Sequence, residues 1–213
     1  MGLPKHNITV TDRFGVVYKG RAEEMDPWKA EYAIETNART LSDVIEGADI
    51  FLGLSAPNVM GEEELRKMGE GPIIMALANP TPEVSPELVK EIRPDAVMAT
   101  GRTDYPNQVN NVLCFPFLFR GALDVQASTI NEDMKIAAAH AVASLAREDV
   151  PDEVAAAYSG RRLQYGPEYI IPAPFDPRLI MAVPKAVAQA AMDSAIDVGN
   201  CARLADKFPH QQE

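Results

Sequence analysis

The chain has 213 residues, of which 46% are hydrophobic, enough for one large domain or two small ones around a buried core. Its formal charge of −11, from 20 basic and 31 acidic residues, disfavours nucleic acid and anionic membranes as partners. Cys114 and Cys201 form no CxxC pair, no apolar run approaches the roughly 20 residues of a membrane span, and no signal-peptide core opens the chain, so a reducing cytoplasm fits best.

Residues 7–12 read as a short strand ending in an acidic side chain, and 16–19 as a second extended piece. In nucleotide-binding α/β folds an acidic residue at the end of the second strand accepts hydrogen bonds from the adenosine ribose, which makes Asp12 a candidate. Asp-x-x-Gly is equally an ordinary turn. Residues 22–39 read as a polar connection with one helical turn. A helix follows over 40–47, with Thr40 as N-cap, Asp43 three residues on and Gly47 as its stop.

Asp49 opens a strand over 49–54 whose remaining residues form a continuous apolar run, as expected of a parallel strand covered on both faces, and Ser55 to Asn58 form the loop beyond it. A charged helical segment spans 62–68. The next strand is 72–78, with Asn79-Pro-Thr-Pro82 as its loop. Ser85 caps a helix that has Pro86 at its first position and runs to Ile92 before Pro94. A third strand over 96–99 enters a loop at 100–111. This strand, loop, helix rhythm predicts a right-handed parallel α/β sheet, in which ligands sit beyond the carboxyl ends of the strands. Asp12, Ser55, Asn79 and the 100–111 loop are therefore expected along one edge.

Within that loop Asn107, Gln108, Asn110 and Asn111 each offer a donor and an acceptor without charge, which suits a site whose electrostatics a charged ligand or metal already sets. The same residues also populate ordinary turns. The aromatic and proline-rich stretch after it reads as a buried anchor. Residues 128–147 have N-cap chemistry and a helical apolar face, on which His140 is read as packing or surface. A proline-stiffened connector over 169–177 leads to a final helix over 184–195, and little periodicity follows Val198. No GxSxG, HExxH, phosphate-binding loop or Cys-His cluster occurs. Gly69-Glu-Gly71 begins like a dinucleotide fingerprint but precedes a strand where the fingerprint must follow one.

Several blocks, in one order, carry more than their pattern. Gly2-Leu-Pro-Lys5, Val10-Thr-Asp12 with Gly15 and Lys19-Gly-Arg21, Phe51-Leu-Gly-Leu-Ser-Ala-Pro57, Ala76-Leu-Ala-Asn-Pro-Thr81 and the run from Ala99 to Pro116 resemble the C-terminal half of bacterial malic enzymes. The likeness continues through Thr129 to Met134 and Tyr169 to Arg178 and fades after about Ser194. It implies an α/β fold: an incomplete Rossmann-like parallel sheet lacking its first strand and Gly-rich turn, followed by C-terminal helices. Residues 1–125 would be a partial NAD(P)-binding region, 126–197 a helical region of the same domain, and 198–213 a tail.

The family's reaction is oxidative decarboxylation of (S)-malate to pyruvate and CO2, with NAD or NADP as hydride acceptor and Mg2+ or Mn2+ as Lewis acid. By the matching motifs Asn79, Asn110 and Asn111 would contact substrate. Asp12, Arg13, Ser55, Ala56, Asn79 and Asn111 would bind the dinucleotide. Asp12 favours NAD by repelling a 2′-phosphate, Arg13 could pair with that phosphate, and Phe14 stands where a basic residue is frequent in relatives, which tips the reading slightly to NAD.

The resemblance places the catalytic Tyr and Lys, the three acidic metal ligands and the glycine fingerprint upstream of Gly2. The expectation is accordingly a fragment, with no catalytic residue or metal ligand of its own, inactive alone and a homo-oligomer when intact. A non-catalytic remnant or oligomerisation module is the alternative, and another NAD(P)-dependent dehydrogenase is a third reading.

Overall fold

The computed structural model describes residues 2–157, 163–194 and 196, and the chain divides into two compact units, Met1–Pro106 and Asn107–Glu213. Cys201 and the expected tail over 198–213 lie outside the described residues.

The first unit opens with a 3-10 turn at Lys5–Asn7 and a hairpin of β1 (Thr11–Asp12) and β2 (Gly15–Val16), paired antiparallel. Gly15 is required at its corner: its φ is +90°, and a Cβ there would sit 1.8 Å from the Arg39 carbonyl oxygen. The expected strand over 7–12 is thus one arm of a separate two-stranded ladder, not a member of the parallel sheet. A single helical turn, α1 (Pro27–Ala30), interrupts the polar connection, capped by Asp26. The helix α2 (Leu41–Val44) has the full capping box of Thr40 and Asp43.

The parallel sheet consists of β3 (Ile50–Gly53), β4 (Ile73–Ala76) and β5 (Val97–Thr100), in that order. Helices α3 (Glu62–Lys67) and α4 (Pro86–Ile92) make the crossovers. Ser85 caps α4 by accepting from the Leu88 amide, and Pro86 needs no amide partner at the first position. The register aligns Ile50 with Ile73 and Val97, and Gly53 with Ala76 and Thr100, so the three carboxyl ends are level.

The strands at Ile50 and Ile73 pair directly, and β3 forms an outer edge of the described sheet. One expectation fails here: β3 is not covered on both faces, since Phe51 and Gly53 are buried while Ile50 and Leu52, on the opposite face, are each 56% exposed. The core lies against the other face, where Phe51, Ile74 and Ala76 pack with Leu65, Val84 and Val89.

The second unit is helical. A 3-10 turn at Asn111–Leu113 leads into α5 (Phe115–Asp124), followed by α6 (Glu132–Leu145), α7 (Asp152–Ala157) and α8 (Leu179–Asp193). Asn131 caps α6 through the Met134 amide. α8 packs on both α5 and α6 and begins five residues before Pro184, which sits buried inside it. The aromatic stretch is not a buried anchor. In α5 Gly121 and Ala122 are buried in the core with Phe117 and Leu118 packed partly against it, and Phe115, Phe119 and Leu123 are exposed at successive four-residue steps. Gly121 has to be small, because a Cβ would approach the Pro184 carbonyl oxygen to 2.6 Å and Val187 to 2.7 Å. Leu113, Met134, Leu179, Val183 and Val187 form the centre of this core, and His140 is exposed as expected. No helix among the described residues is long and apolar enough to cross a membrane.

Candidate dinucleotide-binding loops

Because β3, β4 and β5 end level, their following loops share one edge of the first unit. Ser55 and Ala56 are exposed beyond β3, and Asn79 is exposed beyond β4, where the Asn79–Pro80 peptide is cis. Beyond β5 the Gly101 backbone lies under Asn79: a Cβ on Gly101 would fall 2.6 Å from Asn79 Nδ2. Among the described residues the Ser55 hydroxyl and the Asn79 amide have no protein partner, so both remain open to a ligand.

Under these loops sits a residue that sequence reasoning passed over. Glu83 is fully buried, and its carboxylate accepts from the Ser55 amide through Oε1 (2.8 Å) and from the Ala78 amide through Oε2 (3.0 Å). A carboxylate among Pro82, Val84 and the prolines of its loop is the only signal in the sequence, and it is a faint one.

Asp12 and Arg13 occupy the separate hairpin. Asp12 Oδ1 accepts from Arg21 Nη1 and from the Phe14 amide, both at 2.9 Å, and Oδ2 accepts from Arg21 Nη2 and from Lys29 Nζ. The Arg21 guanidinium, only 1% exposed as a side chain, holds the Asp12 carboxyl far below the usual carboxylate range, with Lys29 adding to the effect against the cost of partial burial. Arg13 is exposed, pairs with Glu24 and lies over the Phe14 ring at 4.9 Å.

The amides of the 100–111 loop fall in the second unit and divide by role. Asn107 is 5% exposed with φ +53°, and it is structural: its Nδ2 donates to the Pro167 carbonyl (2.7 Å) and its Oδ1 accepts from the Ile170 amide (2.8 Å). Asn110 caps the 3-10 turn by accepting from the Val112 amide (3.0 Å). Asn111 is exposed, and among the described residues its side chain makes no protein contact that would compete with a ligand. Nor, among those residues, do three His, Cys, Asp or Glu side chains converge as a metal centre would need.

Comparison with known proteins agrees with this arrangement. The family described as "Malic enzyme, NAD binding domain" matches residues 4–158. The NADP-dependent malic enzyme of Rhizobium meliloti is 60% identical over 196 residues, covering 92% of this chain and 26% of that protein. The NAD-dependent malic enzyme of the same organism is 58% identical with the same coverage. The chain therefore spans about a quarter of the length of these relatives. Among solved structures, the malic enzyme of Entamoeba histolytica superposes with a TM-score of 0.72 at 32% identity, covering 88% of this chain and 37% of that one. The NAD-dependent malic enzyme of Thermotoga maritima does so at 0.66 and 34%, over 82% and 42%. Level strand ends carrying unspent polar side chains, and a match that runs through both units, lead to one conclusion: the chain belongs to the malic enzyme family, in its NAD-binding domain.

Proposed function

We propose that this chain supplies one wall of the dinucleotide and substrate site of a malic enzyme, which converts (S)-malate and NAD(P)+ to pyruvate, CO2 and NAD(P)H. The observation that carries this reading is the pair of exposed, unspent groups Ser55 and Asn79 at the level carboxyl ends of β3 and β4, within a segment 60% identical to a malic enzyme. Ser55 and Ala56 line the dinucleotide, and Asn79 contacts malate or the nicotinamide. Asn110, whose Oδ1 is taken by the Val112 amide, is assigned to substrate through its Nδ2, and Asn111 to substrate and dinucleotide. Neutral amides suit these roles because they orient a carboxylate or carboxamide without adding a competing anion.

Hydride leaves C2 of malate for the nicotinamide, and the carboxylate next to C3 then departs as CO2. A divalent Mg2+ or Mn2+ supplies Lewis-acid chemistry in this reaction. The described residues offer no donor set that fits it, so no step is assigned to it through them. Asp12 and Arg13 contact the adenosine end. Asp12 favours NAD over NADP, but Arg21 and Lys29 offset its charge, so the preference is small. A cytoplasmic setting accords with the free thiol of Cys114, and assembly as a homo-oligomer belongs to the same proposal.

The test is a hybrid in which residues 2–196 replace the matching segment of the Rhizobium meliloti NADP-dependent enzyme. Malate-dependent formation of reduced dinucleotide and pyruvate is expected. A folded hybrid that oxidises other hydroxy acids in preference to malate would favour another dehydrogenase. The 213-residue chain alone is expected to show no malate-dependent turnover, and detectable turnover would contradict this.

A further inference from the structure

Glu83 is an unusual device for joining two loops. Its carboxylate is fully buried, and among the described residues no Lys, Arg or His pairs with it, so the charge is met by two backbone amides. Burying a carboxylate is costly unless its hydrogen bonds are good ones. The amides it takes belong to Ser55, immediately after β3 and Leu54, and to Ala78, immediately before Asn79. The backbone of the same segment holds the first loop as well: the Glu83 carbonyl accepts from the Met60 amide (3.1 Å) and the Pro82 carbonyl from Asn58 (3.2 Å). β3 is shaped to admit the side chain, since a Cβ on Gly53 would lie 2.5 Å from Glu83 Cδ. The segment 82–83 therefore ties the loop after β3 to the loop after β4 at both of its ends.

We propose that Glu83 is a positioning residue, one that sets the spacing of Ser55 against Asn79 and so fixes the dinucleotide-contacting edge. The proposal rests on the assignment of those two loops to the dinucleotide. Only a carboxylate meets the requirement. Two inward-pointing N–H groups need two acceptors, and a glutamine in the same place would set its own NH2 against one of them. By consuming the backbone amides, Glu83 leaves the Ser55 hydroxyl and the Asn79 amide as the polar groups presented outward. Gly53 is the second part of the device, because any side chain there displaces the carboxylate.

The experiment compares Glu83→Gln, Glu83→Asp and Gly53→Ala. In the 213-residue chain, Glu83→Gln should speed hydrogen exchange at Ser55 and Ala78 by about tenfold, as for loss of one net hydrogen bond, with the centre of β4 unchanged. In the hybrid with the Rhizobium meliloti enzyme, KM for the dinucleotide should rise by about tenfold while kcat falls by less. Gly53→Ala should give the same split, and the double variant should be no worse than the single ones, because both act through one contact. Glu83→Asp, which keeps two acceptors on a shorter stem, should recover part of the loss.

Faster exchange with unchanged dinucleotide KM would overturn the proposal, leaving Glu83 a purely structural tie. Unchanged exchange would overturn it too. If the wild-type hybrid fails to oxidise malate, the malic enzyme reading is what falls. Dinucleotide titration of the same hybrid then decides the role of Glu83, and equal Kd for wild type and Glu83→Gln would refute it.

Discussion

Asp12 holds its own hairpin together, whatever it does for a ligand. Its position after a short extended run suggests a ribose contact, but in the structure both oxygens already accept from Arg21, with Lys29 and the Phe14 amide adding to the set. Arg21 is almost wholly buried, so removing its counter-charge leaves a desolvated cation. Asp12→Asn should cost about 3 kcal/mol of stability at neutral pH, measured by denaturant unfolding. The pH dependence follows from the direction of the shift. Because the folded carboxyl is held below its unfolded value of about 3.9, the stabilisation is complete above that value and fades as pH falls toward the folded pKa. Between pH 7 and 5 the wild type should lose nothing from this group, and below about pH 4 the gap between wild type and variant should narrow.

Two further residues make contrasting tests. Asn107 was expected among the ligand-facing amides, but it is buried and pins the backbone at 167–170, so Asn107→Ala should destabilise by about 2 kcal/mol. Gly101→Ala should do the opposite. The displaced group is the mobile end of Asn79, so stability should change by less than about 1 kcal/mol. In the active hybrid, kcat/KM should nonetheless fall as Asn79 is moved.

At the scale of elements, what was legible is what local chemistry decides. Thr40 with Asp43, and Ser85 with Pro86, mark helix starts because the cap is made by residues three positions apart, and both helices begin where those residues say. The apolar runs at Ile50, Ile73 and Val97 are the strands, short β-branched and aliphatic runs bounded by turn residues. What was not legible depends on distant partners. The 115–124 stretch is apolar enough to be an anchor, but Phe115, Phe119 and Leu123 are exposed, only Phe117 and Leu118 pack partly against the core, and a glycine makes the closest approach to α8. Nothing in the sequence near Gly121 announces Pro184, sixty-three residues on. Replacing Gly121 with Leu should therefore destabilise the second unit by about 3 kcal/mol or more through overpacking against Pro184 and Val187, measured by thermal melting. A similar blindness hid Glu83, which takes one partner, Ala78, from its own loop and the other, Ser55, from the loop after β3 twenty-eight residues back.

For the whole molecule, the sequence carried the family through long blocks in one order, and it carried less of the site. Ser55, Ala56 and Asn79 stand at the carboxyl ends of adjacent parallel strands, as a doubly wound arrangement requires. Asp12 and Arg13 stand on a hairpin outside that sheet, which no period in the sequence distinguished from a sheet strand. The division of labour among Asn107, Asn110 and Asn111 likewise depended on what each touches: Asn107 spends both side-chain ends on backbone, Asn110 spends its Oδ1 on the Val112 amide, and Asn111 is open to a ligand. If Asn79 and Asn111 serve a malic enzyme reaction as proposed, steady-state malate oxidation by the hybrid carrying Asn79→Ala or Asn111→Ala will show it. Each substitution should lower kcat/KM by about 100-fold with an unchanged melting temperature. Full activity in either variant would contradict the account.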